Sequence, residues 1–115
     1  MAKQKINPVQ QLNTIQSYTN TGTGGGTGFY INLGGLKICW GFSGQFSTAS
    51  NITASASLPA GFFTTVTGGY CIPSAGSAVM GFVPTSTGYG TSTISTFISG
   101  VAGTTAYISW YVIGV

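Results

Sequence analysis

Lys37 and Cys39 lie two residues apart in the stretch GGLKICWGFSG, residues 34–44. On an extended strand that spacing puts an ammonium and a thiol on the same face. A neighbouring cation lowers a thiol pKa and can make the sulfur a nucleophile. Such a nucleophile needs a group that takes and returns protons, a task done mostly by His, Asp or Glu. The chain contains none of these three residues. A Ser-His-Asp triad and a paired-carboxylate hydrolytic site are therefore excluded. Metal-assisted hydrolysis lacks ligands, and Cys39 with Cys71 cannot form a conventional zinc site. The Lys37–Cys39 pair reads as one side of an exposed or interfacial strand, and the chain reads as a non-enzyme with no cofactor.

Charge narrows the partners further. The 115 residues carry three Lys, no Arg and no acids, for a net charge of +3. Lys3 and Lys5 sit at the start of the chain and read as a solvated terminus. So few cations cannot neutralise a run of phosphates, which excludes nucleic acid as a partner. No stretch approaches the roughly 18 apolar residues of a membrane helix, so membrane insertion is not expected. The opening MAKQKINPVQQL lacks the apolar stretch of a signal peptide, and the two cysteines are expected as reduced, packed thiols. Gly24-Gly25-Gly26 resembles a phosphate-binding loop only superficially. No Lys-Ser or Lys-Thr pair and no helical pattern follows it.

The elements that carry these residues divide at about residue 27. In residues 1–27, Asn7-Pro8 reads as a helix cap and first turn. Val9, Leu12 and Ile15 follow at helical spacing, with Ile6 just before the cap, which predicts a short helix from about Pro8 to Tyr18. Three turns are marginal alone, so this stripe is expected to anchor to a partner. Thr19 to Gly28, TNTGTGGGTG, has the composition of a flexible linker.

Residues 28–115 read as one all-β domain, a small antiparallel β-sandwich of about seven strands. Phe29, Ile31 and Leu33 alternate, Gly34-Gly35 turns the chain, and Leu36, Ile38, Trp40 and Phe42 alternate again. That pair predicts a hairpin with one apolar face built around buried Trp40. Residues 43–57 read as a loop or weak strand around Ile52, and further strands are expected at Phe62–Val66, at Tyr70–Ile72 ended by Pro73, at Ala78–Val83, at Thr93–Ile98 and at Thr105–Val115. Gly88-Tyr89-Gly90 reads as a loop displaying an aromatic. The last strand is apolar on both sides. Ala106, Ile108, Trp110 and Val112 alternate with Tyr107, Tyr111 and Ile113. A strand apolar on both faces needs cover beyond its own sandwich, and a subunit interface supplies it. The interface candidates are Tyr107, Trp110, Tyr111 and Ile113. The displayed aromatics Phe46, Tyr70 and Tyr89 are the candidate ligand contacts, because aromatic faces suit sugar rings.

Three segments also carry a resemblance. Gly34 to Gly41, GGLKICWG, resembles the "GGLIIQWG" strand of many phage tail-fibre proteins. Leu58-Pro59-Ala60-Gly61-Phe62 is similar to the "FPxAF" segment of the same proteins. Ile108 to Gly114, ISWYVIG, is similar to their closing "WIAIG". Together the segments resemble the gp53-like C-terminal domain family of tail fibres. Cys39 departs from the pattern, which has Gln before the Trp.

The resemblance implies a homotrimeric β-sandwich knob at the receptor-facing end of a virion fibre. The chain is then expected to be a short tail-fibre or fibre-tip subunit, made in the host cytoplasm and carried on the virion. Its partners would be itself, another virion protein held through the N-terminal segment, and a host surface glycan or protein. The alternatives are a head-fibre or decoration subunit with a purely structural role, and a free lectin-like module.

Overall fold

The computed structural model describes residues 14–47, 51–75, 83–99 and 105–115. These residues form nine antiparallel strands in two sheets: β1 (Gln16–Thr19), β2 (Thr27–Leu33), β3 (Leu36–Phe42), β4 (Phe46–Ser47), β5 (Asn51–Ser57), β6 (Val66–Ala75), β7 (Val83–Tyr89), β8 (Thr93–Ser99) and β9 (Thr105–Gly114). The all-β antiparallel class matches the expectation and is compatible with a small sandwich.

The larger sheet has six strands. β1, β2 and β3 run side by side, and β3 pairs with β9. β4 pairs with the start of β9, and β6 runs along the other side of β9. The smaller sheet is β5-β8-β7. The β2–β3 hairpin forms as expected, with Leu33 opposite Leu36. Its turn uses Gly34 and Gly35 at φ 66° and 108°, angles that only glycine adopts without strain.

The core lies between the sheets. Cys39, Cys71, Ile108, Trp110 and Val112 come from the larger sheet, and Ala54, Ala56 and Ile94 from the smaller. Leu58 and Phe63, from the loop between β5 and β6, also belong to it. Each large aliphatic buried here contributes about 1.5–3 kcal/mol.

Several expectations need correction. Residues up to Tyr18 were expected to be helical, yet Gln16–Thr19 form β1, paired with β2 from Gln16↔Tyr30 to Thr19↔Thr27. Cross-strand bonds outweigh local helical spacing, because an edge beside β2 satisfies these backbone groups directly. The rest of the expected helix, with Ile6, Val9 and Leu12, lies outside the described residues. Where a flexible linker was expected, residues 20–26 form a bonded loop. Asn20 donates its side-chain amide to the Gly25 carbonyl, and the Asn20 amide N–H reaches the Gly26 carbonyl.

Phe62 belongs to a turn, and the strand expected at Phe62–Val66 begins only at Val66. Pro73 does not stop pairing. It lies opposite Ile108 within β6, an edge strand among the described residues. On its other side Ile108 donates its N–H to the Ser43 hydroxyl and accepts the Ser43 N–H, so the missing N–H of Pro73 costs no ladder bond. The segment containing Tyr89, expected as a loop, is strand β7. The strand expected at Ala78–Val83 falls mostly outside the described residues.

Candidate functional site

β9 alternates as the sequence implied. Ala106, Ile108, Trp110 and Val112 are buried, while Tyr107, Tyr111 and Ile113 are on the opposite side. Trp110 is only 2 % exposed in a single copy. It is therefore a core residue and not part of any subunit interface, a correction to its earlier assignment.

β3 presents the reverse of its expected face. Cys39 and Gly41 point into the core, while Leu36, Ile38, Trp40 and Phe42 line the outside. The reason is bulk. The Trp110 indole lies across β3, and a Cβ on Gly41 would sit 2.5 Å from its Cζ2 atom. Next to it, a Cβ on Gly28 would overlap the Tyr18 ring. Large rings from β9 and β1 thus occupy the space that small residues of β2 and β3 leave. The larger β3 side chains turn outward.

A polar cluster joins these rings. The Tyr18 hydroxyl donates to the Ser57 carbonyl at 2.7 Å and accepts the Trp110 indole N–H at 3.0 Å. It also lies 3.2 Å from the Cys39 sulfur. A phenol has one proton, already given to Ser57, so the thiol is the donor in this last contact. Burial pushes the Tyr18 pKa far above the ordinary phenol range, and contact with Cys39 adds to the rise. Burial likewise raises the Cys39 thiol against the opposing effect of Tyr18 and Trp110. Burial pushes Cys71 up to about 12.

The cluster therefore holds its protons. Its hydroxyl bridges the two sheets, and burial keeps its thiol, Cys39, and the separately buried Cys71 away from the reactive thiolate. Cys39 and Cys71 are both free. They flank β9 on opposite sides, one facing Val112 and the other Trp110. Two strand spacings, about 10 Å, exceed the reach of a disulfide. Lys37 places its ammonium over the Phe62 ring, 5.6 Å from the centroid, rather than beside the thiol.

Among the described residues, most of the exposed large apolar side chains lie on the outer face of the larger sheet. Its rows run in register across four strands. Phe29, Trp40, Tyr111 and Tyr70 form one row, and Ile31, Ile38 and Ile113 form the next. Phe42, Ser109 and Ile72 form a third row. Phe29 stacks on Trp40 with centroids 6.1 Å apart, and Tyr70 stacks on Tyr111 at 5.7 Å. Each ring thus gives one of its faces to a neighbour, so the row is a packing surface more than a platform for single sugars. Phe42 is 60 % exposed and Tyr70 47 %. No residue in these rows is charged. The outer face of the smaller sheet is different. Thr53 and Ser55 on β5 stand beside Phe97 and Ser95 on β8, making that side mostly hydroxyl.

The three ligand-contact candidates do not converge. Tyr70 lies on the apolar outer face. Phe46 packs against the core from β4, opposite Ala106, and is not displayed. Tyr89 ends β7, paired with Ile94 in the other sheet. Of the interface candidates, Tyr107, Tyr111 and Ile113 share the outer face. Ile15, an anchor candidate, is exposed just before β1. Phe29, Ile31, Ile38, Phe42 and Ile72 were missed as surface residues. The signal was present in Gly28, Cys39 and Gly41, small residues alternating with them. Comparison of the chain with family models, curated proteins and solved structures finds no match.

Proposed function

We propose that this chain is a bacteriophage virion structural protein, a short tail-fibre or fibre-tip subunit that attaches the particle to a host surface as a homotrimeric β-sandwich knob. One observation carries the reading: the three segments that resemble the tail-fibre family meet in space. The first is the turn and strand β3, the last is β9, and these pair from Lys37↔Gly114 to Trp40↔Tyr111. The middle segment joins them through Phe62, whose ring lies under the Lys37 ammonium. A chain without acids or His is suited to adhesion rather than acid–base chemistry.

The smaller sheet offers the hydroxyl-rich surface for a host glycan or protein. The N-terminal segment is the attachment to another virion protein. A purely structural head-fibre or decoration subunit is the second reading. It is favoured by the failure of Phe46, Tyr70 and Tyr89 to form one contact site.

Native mass spectrometry of the purified chain should give a trimer, and labelled knobs should bind host cells in competition with whole particles. A trimer that binds no cells supports the decoration reading, and a monomer at micromolar concentration overturns both.

A further inference from the structure

We infer that the outer face of the larger sheet is the seam at which copies of this chain meet, with the hydroxyl-rich smaller sheet turned outward. This rests on the assembly proposed above and names the surface that makes it. Leu33, Leu36, Phe42, Tyr70, Ile72 and Tyr107 lie on this face at 37–60 % exposure. At roughly 200 Å² for a large side chain wholly in water, these six offer on the order of 500 Å². Their half-buried neighbours in the isoleucine and aromatic rows bring the face toward the ~800 Å² that each partner contributes to a stable interface. A lone subunit seldom leaves an apolar patch of that size in water.

Chemistry selects the occupant. The rows hold no cation to meet anionic lipid headgroups. They hold no charge of either sign that would select an acidic or basic partner. A second copy brings the same uncharged surface, so nothing charged is buried without a partner. Tyrosine hydroxyls and Ser109 supply hydrogen bonds across the contact. The seam is continuous with β9, so the closing strand is covered on its core side by the smaller sheet and on its outer side by a neighbour.

The test uses the full chain and two double variants. Leu36→Lys with Phe42→Lys puts ammonium groups on β3 of the seam. Thr53→Lys with Thr93→Lys puts them on the smaller sheet. All four positions are exposed, so folding should persist and circular dichroism checks it. The chain has no carboxylate side chain to pair with a buried lysine. The seam variant should assemble at least a hundredfold more weakly by native mass spectrometry and light scattering, and the control should keep the parent mass.

A second measurement does not depend on that variant. With Cys39 and Cys71 buried, Phe42→Cys in the assembled protein should react with a maleimide at least tenfold more slowly than Thr53→Cys. Equal labelling rates, or dissociation only in the smaller-sheet variant, overturn the seam while leaving assembly intact. A monomeric parent chain overturns the seam and the assembly together.

Discussion

Removing one oxygen atom, in Tyr18→Phe, probes the bridge between the two sheets. In the parent chain that oxygen donates to the Ser57 carbonyl and accepts the Trp110 indole N–H. Phenylalanine keeps the ring packed over Gly28, so the change leaves no large cavity. The indole N–H belongs to a residue 2 % exposed, and it loses its partner where water does not reach. A buried donor left unpaired costs about 1–3 kcal/mol. The Ser57 carbonyl is less buried and can be rehydrated, so its loss is closer to the net value of one bond, about 1 kcal/mol. The thiol contact is weak and adds little.

The expected destabilisation is about 3 kcal/mol. For a domain of this size that corresponds to a fall in Tm of about 10–20 °C. The assay is urea unfolding followed by circular dichroism at one fixed protein concentration, since assembly makes stability concentration-dependent. A loss below about 1 kcal/mol with an unchanged denaturant slope would refute the bridging role. It would mean that water or another group already satisfies the indole.

Gly41→Ala should destabilise by about 3 kcal/mol in the same assay, because the new methyl meets the Trp110 ring and the Gly28 backbone. Asn20→Ala should cost a similar amount. The Asn20 side-chain oxygen accepts the backbone N–H groups of Gly22 and Ser57, both at 2.8 Å, and the alanine methyl cannot accept them. Cys39 and Cys71 should resist a thiol reagent at pH 8 in the folded protein and react fully in denaturant; fast labelling of the native chain would contradict their burial.

Stability should be nearly level from pH 4.5 to 7, where no side chain titrates. It should fall above pH 9. The Cys39, Cys71 and Tyr18 pKa values are raised in the folded state, so the unfolded chain releases its protons first and alkali favours unfolding. Chemical denaturation across pH 4.5–11 checks the direction, and stability that rises with alkali would contradict it.

Much of the β architecture was legible in the sequence. The Gly34-Gly35 turn between two alternating runs marks a hairpin because both glycines take positive φ there. The alternation of β9 divided its residues into the two sides seen. Since both sides are apolar it did not say which is the core, and Trp110, expected with the interface set, is buried. The lack of acids and His excluded whole classes of chemistry without any coordinates. The expected helix ran too far at its C-terminal end, where Gln16–Tyr18 pair with β2 instead, while Ile6, Val9 and Leu12 of its apolar stripe lie outside the described residues. The helical preference of Gln16–Tyr18 is weak, and pairing with β2 satisfies more backbone groups.

Which side of β3 faces inward could not be read from hydrophobicity. By that measure Leu36, Ile38, Trp40 and Phe42 belong inside and Cys39 and Gly41 outside. The tertiary structure decided otherwise because Trp110 and Tyr18, on the strands paired beside Gly41 and Gly28, need the volume above those glycines. Composition and periodicity therefore determined that this chain makes strands and carries no Asp, Glu or His side chain. Packing between segments far apart in sequence decided which face is the core and which stays exposed. The physical reason is that alternation specifies two faces, while only the bulk of the partners fixes which of them can close.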